Sequence, residues 1–498
     1  MQGIKCRIFR NFFAGTLLLA CLSCKKSVPA SPPVLPPVVS IAVTVNIQNT
    51  VRVLNGLECG INLNYLMDDA VLAGQTLANL SSAINSMGVK FLRYPGGEKS
   101  DNYLFGKPPY SSAAVQAAYC NFPATDPRFF NGDLSAKGVL LDFDEYIQVC
   151  RQTGATPFLV IAYDAMYSTS TCGTKPTRAQ LLSNAKEWVR YANLTKNYGV
   201  KYWMIGNESW NNSDYNGKVT PAVYAADIAA FADTMRSIDP SIKIIANGKS
   251  DWWQTVLQSS AASKIDYLAA SNYLPDGFTG YDYYRRFTGD LNTEITAAVA
   301  AINNFAAFAD KSRIEIIMSE YNSIEYYGRG WQNKNDLGHA LANFQMLGDA
   351  LLQPKLFSAC LWNTRWITNA EQKDNLFDAV NATGGLNAIG KALGIVGKNL
   401  LNTMVVTTSD NQLVKPYTTY DSTSAVMNIF LINKDRITQA VKINIANYAK
   451  TSASVWVLKG TGEADVNPSW TQLSNVTATN NTVTLNLDAT SVTMIKFN

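Results

Sequence analysis

Tyr202-Trp203-Met204-Ile205-Gly206-Asn207-Glu208 sets four apolar residues in a row, then a glycine, then two polar side chains. An unbroken apolar run is the mark of a strand buried on both faces, as in a parallel sheet covered by helices; a half-exposed strand alternates instead. Seven further runs have the same character, at 57–65, 90–97, 157–164, 243–249, 267–274, 314–322 and 357–365. Helical periodicity fills the intervals, most clearly at 180–198, 221–238 and 292–311. Eight strand-and-helix pairs predict an α/β fold, a (β/α)8 TIM barrel over residues 57–400. An open doubly wound sheet is the alternative, but no Gly-rich phosphate loop follows the first strand.

In such a barrel the side chains that do chemistry come from the C-terminal ends of the strands. Those ends carry Asn62 and Asn64, Arg93, Asp164, Asn207 and Glu208, Lys249, Asn272 and Tyr273, Glu320 and Asn322, and Trp362 and Arg365. The chain has one histidine, His339, in a helical pattern (336–350) where a helix-surface or packing role is expected. Serine–histidine triads, cysteine–histidine dyads and multi-histidine metal sites therefore lack their imidazoles, and neither metal nor cofactor is expected. Carboxylates are left to carry the chemistry. Glu208 and Glu320 end the fourth and seventh runs, poorly placed for surface ion pairs and well placed for the barrel mouth. Two carboxyl groups about 5–5.5 Å apart suffice for a retaining glycosidase, one protonating the leaving oxygen and the other attacking the anomeric carbon. One must stay protonated near neutral pH while the other stays ionised, which calls for two different surroundings. Lys+Arg 42 against Asp+Glu 38 leaves no electrostatic footprint for nucleic acid, and the 47% of hydrophobic residues can build a sizeable core.

Three motifs together resemble clan A of the glycoside hydrolases. They are Leu92-Arg93-Tyr94-Pro95-Gly96-Gly97, the stretch Tyr202-Trp203 through Gly206-Asn207-Glu208 with Trp210, and the glutamate that closes the seventh run. Within the clan the chain is similar to the family 51 α-L-arabinofuranosidases and, less closely, to the family 79 β-glucuronidase and heparanase-like enzymes. The resemblance covers roughly residues 41–498 and implies a barrel with an appended β-sandwich, a carbohydrate substrate and retention of configuration. It makes Glu208 the acid/base and Glu320 the nucleophile. It has Asn207 bond the sugar 2-hydroxyl, Arg93 support the nucleophile, Tyr273 hold its carboxylate and Trp362 form a floor beneath the sugar. Asn64 and Trp210 complete the expected substrate-binding set. Two positions depart from family 51: Ser271-Asn272-Tyr273 stands where a His-x-Tyr is typical, and Asn62-Leu63-Asn64 where a glutamate usually binds the arabinose. The catalytic pair survives both changes, but the sugar is left open. The best reading is an α-L-arabinofuranosidase. Another exo- or endo-glycosidase (β-xylosidase, glucuronidase, endoglucanase) is the alternative, and a non-catalytic glycan-binding lipoprotein is the reading from a different class.

The two ends read differently from the barrel. Lys5, Arg7 and Arg10 precede an apolar run from Phe12 to Leu22, within the roughly 7–15 residues of a signal h-region and too short to span a bilayer. Ala20-Cys21 and Ser23-Cys24 each set a small residue before a cysteine, as in bacterial lipoprotein signals. Residues 1–24 are thus expected to be a leader with Cys24 (or Cys21) lipidated, holding the exported protein at the bacterial outer membrane by that lipid alone; an ordinary secretory signal is the alternative. Residues 25–40, with five prolines between 29 and 37, predict an extended tether. Beyond residue 400 the runs at 414–421, 425–433, 439–447, 453–458 and 482–497 alternate and are rich in Val, Ile and Thr, predicting a β-sandwich over 401–498. The alternating Ile41, Val43, Val45 and Ile47 assign 41–56 to it as well.

Cys59, Cys150 and Cys360 read as core thiols, whereas Cys120 and Cys172 in loop-like stretches could form a bridge in an exported protein. Tyr163, Tyr167, Tyr326, Tyr327, Trp331 and Trp366 lie near the strand-to-helix loops, where aromatic faces stack on sugars or simply pack. Glu98, Asp101 and Asp164 either bond sugar hydroxyls or cap loops.

Overall fold

After β1 (Ile41–Val53), which joins a second sheet, come β2 (Cys59–Asn62), β3 (Phe91–Tyr94), β4 (Thr156–Ile161), β5 (Tyr202–Ile205), β6 (Lys243–Asn247), β7 (Tyr267–Tyr273), β8 (Glu315–Asn322) and β9 (Leu356–Leu361). These eight run parallel and close into a barrel when β9 pairs with β2. The computed structural model describes residues 40–65, 68, 77–97, 100–101, 103–106, 141–167, 175–211, 219–275, 277–324, 331, 334–365, 378–381 and 383–498. Cys21, Cys24, the tether, Glu98, Cys120, Cys172, Tyr326, Tyr327 and Trp366 lie outside the described residues.

Each predicted run overlaps one strand, β4 and β9 starting one residue earlier than their runs, and most strands stop short of the run's polar tail. Asp164, Glu208, Lys249 and Arg365 all lie beyond the last ladder residue. β7 and β8 are longer and keep Tyr273 and Glu320 within the ladder.

The covering helices are α1 (Leu77–Met87), α2 (Phe143–Thr153), α3 (Arg178–Val189), α4 (Pro221–Arg236), α5 (Asp251–Leu257), α6 (Tyr281–Arg286), α7 (Thr293–Phe305), α8 (Phe308–Arg313), α9 (Leu337–Leu351) and α10 (Ala388–Asn399). Their starts are written locally: Asp142 with Glu145 and Thr177 with Gln180 form capping boxes, and Thr220 caps α4 ahead of Pro221. The run at 180–198 passes from α3 into a wider turn at Arg190–Thr195, and that at 292–311 divides into α7 and α8 where Ala306 becomes extended. None of the described helices is long and apolar enough to cross a membrane.

Aromatic rings plug the N-terminal end of the barrel. Phe91 stacks on Phe158 with ring centres 5.1 Å apart, and Phe357 meets Tyr267 at 4.7 Å. Gly60 is needed there, since a Cβ would lie 2.7 Å from Cys360 Sγ and 2.8 Å from the Phe91 carbonyl. Outside the strands, Trp188 of α3 sits edge-on to Trp203 of β5 at 5.7 Å, and truncating either buried ring is expected to cost about 3–5 kcal/mol.

The second sheet consists of β1, β10 (Thr403–Ser409), β11 (Val414–Asp421), β12 (Val426–Asn433), β13 (Gln439–Ala446), β14 (Ser452–Lys459), β15 (Ser469–Thr477), β16 (Thr482–Leu487) and β17 (Ser491–Phe497). They form one ladder in the order β15-β14-β17-β12-β11-β10-β1-β13-β16, which curls around its own apolar core of residues such as Val43, Ile429, Ile443 and Ile495. β1 is the link between β10, antiparallel to it, and β13, parallel to it. The opposite face packs on the barrel through α9: Phe430 meets Phe344 at 6.0 Å, and the Tyr417 hydroxyl donates to Asp349 Oδ1 at 2.8 Å. Tyr281 donates to the Lys434 carbonyl at 2.8 Å on the same seam.

Candidate active site

At the C-terminal end of the barrel one arginine gathers side chains from four strands. Arg93 of β3 is fully buried. Its Nη1 donates to Asn62 Oδ1 of β2 at 2.7 Å and to Glu320 Oε1 of β8 at 2.8 Å, and its Nη2 donates to Asn207 Oδ1 beyond β5. Asn62 is itself fixed, its Nδ2 donating to the carbonyls of Ser319 at 3.0 Å and Leu361 at 3.2 Å. The second oxygen of Glu320, Oε2, accepts from the Tyr273 hydroxyl at 2.6 Å. An ionised carboxylate held by a guanidinium and a phenol is stable in a buried setting, because each oxygen has a charge-assisted partner. Since Arg93 occupies the Asn207 carbonyl oxygen, that side chain has its Nδ2 to offer a ligand.

Glu208 lies in different surroundings. It is half-buried, in the left-handed region at φ 46°, on a turn that begins at Gly206 with φ 70°. Loss of solvent pushes its carboxyl up to about 8, and the negative Glu320 adds to that, while hydrogen bonds with Ser271 and Asn211 and the charge of Arg93 work the other way. Glu208 thus remains protonated at neutral pH while facing an arginine-held carboxylate. Chemically, one carboxyl of such a pair can give a proton while the other can attack as an anion.

The turn is tied from both sides. Asp164 Oδ2 accepts from Ser209 Oγ at 2.9 Å and from the Asn207 amide at 3.3 Å. Asn247, at the end of β6, accepts from the Ser209 amide at 2.9 Å and donates to the Ile205 carbonyl at 2.8 Å. Trp210 follows, partly buried, with Lys249 Nζ 4.9 Å from its ring centre and 3.0 Å from Glu294.

Trp362 closes another wall. Asn322 Nδ2 donates to its carbonyl, and its ring lies against Gly97. Asn64 borders Gly96, and its amide donates to Asp68 Oδ2 at 2.6 Å; Asp68 in turn pairs with Arg365 at 3.4 Å. Arg93, Asn207, Tyr273, Glu208 and Glu320 therefore converge, with Asn64, Trp210 and Trp362 around them.

Several other candidates are built into the scaffold. His339 is buried in α9, its Nδ1 2.8 Å from Asp336 Oδ1 and its ring 4.2 Å from that of Trp331. Asn272 donates to the Leu291 carbonyl at 2.9 Å, facing away from the carboxylates. Tyr163 and Tyr167 both donate to Asp227 of α4, at 2.9 and 3.0 Å, and Tyr163 is fully buried, so its ring is packing. Cys59, Cys150 and Cys360 are free and buried. Among the described residues no group of three or more His, Cys, Asp or Glu side chains could hold a metal ion.

Sequence reasoning placed Ser271 in the pocket but did not assign Asn247, Asn211 or Gly97 to the site. Asn247 obeys the strand-end rule that found the others and was available to it. Asn211 and Gly97 lie beyond the ends of β5 and β3.

The chain is similar to several arabinofuranosidases. Residues 83–286 match the family model described as the alpha-L-arabinofuranosidase 1 domain. A probable alpha-L-arabinofuranosidase C of Aspergillus fumigatus is 24% identical over 186 residues, 34% of this chain and 31% of that protein. The alpha-L-arabinofuranosidase C of Emericella nidulans is 26% identical over 233 residues, 39% of this chain and 40% of the relative. The chain thus spans about a third to two fifths of the curated relatives it matches. The crystal structure of an alpha-L-arabinofuranosidase from Thermotoga maritima in complex with arabinose superposes with a TM-score of 0.70 at 20% identity, covering 92% of this chain and 99% of that one. The resemblance to family 51 read from the motifs holds as a resemblance, and the fold is a (β/α)8 barrel with an appended strand domain, as in those structures.

Proposed function

We propose that this protein is a retaining glycoside hydrolase, with α-L-arabinofuranosides as its best substrates. The observation that carries the reading is the contrast between Glu320, clamped by Arg93 and Tyr273, and Glu208, pushed up to about 8 beside it. In the first step Glu320 attacks the anomeric carbon as Glu208 gives its proton to the departing glycosidic oxygen, leaving a glycosyl ester on Glu320. In the second, Glu208 takes a proton from water, whose oxygen attacks the same carbon and frees Glu320 as a carboxylate. Asn207 Nδ2 donates to the sugar 2-hydroxyl, Trp362 lies under the ring, and Asn64 and Trp210 line the pocket. No cofactor takes part.

A second reading of the sugar rests on Asn64 and Ser271, neutral groups where family 51 leads one to expect Glu and His. They favour hydroxyl recognition without charge and leave room for a pyranose. Assaying residues 41–498 on a panel of aryl glycosides decides between them: hydrolysis of pyranosides alone would remove the arabinofuranosidase reading. Glu320→Gln is expected to lose turnover by several orders of magnitude, and an unchanged rate would revive a purely glycan-binding role. Product NMR at early times should show the retained anomer.

Export with lipidation at Cys24 belongs to the same proposal. Metabolic labelling with an alkyne fatty acid should mark the wild type and Cys21→Ala, and should be lost in Cys24→Ala.

A further inference from the structure

Asp164 was open to two readings, a ligand for sugar hydroxyls or a loop cap, and its surroundings favour neither as stated. Its carboxyl is buried and engaged by the turn that carries Glu208. Its Oδ2 is spent on Ser209 Oγ at 2.9 Å and the Asn207 amide at 3.3 Å, the two residues that flank Glu208 in sequence. The Asp101 side chain hydrogen-bonds to it as well, which two carboxyl groups can do only with a proton between them.

The segment so held is a strained one. Glu208 sits at φ 46°, a conformation that costs a residue with a Cβ and persists only when its surroundings over-determine it. Gly206, at φ 70°, comes so close to this carboxylate that a Cβ there would be 2.8 Å from Asp164 Oδ2. Asn247 grips the same turn from β6, but its bonds end on Ile205, Ser209 and Tyr224. Among the described residues it is Asp164 that reaches the amide of Asn207, immediately before Glu208.

We propose that Asp164, backed by Asp101, is a positioning residue for Glu208: by clamping Asn207 and Ser209 it aims the Glu208 carboxyl at the leaving-group oxygen. The inference rests on the reading of Glu208 as acid/base. It assigns Asp164 no contact with substrate and no proton transfer of its own.

The experiment compares kcat/KM, which reports the glycosylation step, for two aryl glycosides of the preferred sugar. One carries a 2,4-dinitrophenyl group, which leaves without protonation; the other carries a phenyl group, which does not. The variants are Asp164→Ala, Asp164→Asn and Ser209→Ala, with Glu208→Gln as reference. Asp164→Ala is expected to lose at least tenfold more on the phenyl than on the dinitrophenyl glycoside. Asp164→Asn, whose amide oxygen still accepts a hydrogen bond, and Ser209→Ala should show the same bias at smaller size, and they carry the test if the alanine variant does not fold. Equal losses on both substrates, or none, with Glu208→Gln showing the bias, overturn the inference and spare the acid/base reading. If Glu208→Gln itself shows no bias, that reading falls and the inference with it.

Discussion

Gly97→Ala is the sharpest small perturbation of this site. A Cβ at position 97 would lie 2.5 Å from Trp362 Cη2, 2.8 Å from Trp362 Cζ3 and 2.7 Å from Glu320 Oε1. Ordinary contact begins at 3.4 Å, so relief requires about 0.7 Å of movement by the carboxylate and about 0.9 Å by the indole. The backbone is no obstacle, because φ at Gly97 lies outside the left-handed region. Glu320 cannot retreat freely while Arg93 holds one oxygen at 2.8 Å and Tyr273 the other at 2.6 Å. Overpacking of this kind costs about 1–3 kcal/mol of stability. Misplacing a reacting group by about 1 Å costs roughly a hundredfold in rate. The expected outcome is a soluble variant with kcat/KM down by about a hundredfold on the preferred aryl glycoside, and a modest fall in its thermal midpoint. Activity within threefold of wild type would refute the wedging of the nucleophile against the chain at Gly97. A lowered midpoint with full activity would assign the movement to Trp362 and refute it equally.

Glu208, pushed up to about 8, has to be protonated for the first step, so kcat/KM should hold on the acid side of 8 and fall about tenfold per pH unit above it; a profile still flat at pH 9.5 excludes Glu208 as the acid. Tyr273→Phe removes a hydrogen bond to a charged acceptor worth about 1.5–3 kcal/mol, a drop of roughly 10- to 150-fold in kcat/KM. Less than a threefold change would mean that the phenol does not support the carboxylate in the transition state. Arg93→Met strands the buried Glu320 charge and should destabilise the fold by about 3–5 kcal/mol in urea unfolding. An unchanged urea midpoint would show the guanidinium to be dispensable.

Continuous apolar runs made the barrel legible, because a strand covered on both faces has no polar positions to blur it. The rule that polar groups collect at strand ends then gave Arg93, Asn207, Glu208, Tyr273 and Glu320. The second sheet was harder to read. β15 is exposed along nearly its whole length and so has no alternating signal, and the single run at 482–497 hides a break at Thr490, whose φ is 44°. β10 was also missed, though Met404 and Val405 are buried. Within the site the unreadable contacts are those made by turns. Ser271 and Asn211 reach Glu208 on a turn at φ 46°, and Gly96-Gly97 reads as an ordinary turn until the Trp362 ring is placed against it.

Within the two stretches that depart from family 51, Ser271 and Asn64 lie off the Arg93 hub, and that separates the clamp on Glu320 from specificity. Arg93 ties β2, β3, β8 and the turn after β5 together through Asn62, Glu320 and Asn207, and a planar guanidinium fork can do so where a single ammonium cannot. Ser271 acts on Glu208, and Asn64 borders Gly96 and bonds to Asp68; neither is a partner of Arg93. Exchange of either residue therefore alters what the pocket offers to sugar hydroxyls while the nucleophile keeps its clamp. On this argument Asn64→Glu, or Ser271→His, should shift the ratio of kcat/KM between furanosides and pyranosides and leave the accumulation of a glycosyl-enzyme on Glu320 intact. Loss of that intermediate in either variant, seen by mass spectrometry with a slow fluorinated substrate, would mean that specificity and mechanism share one network after all.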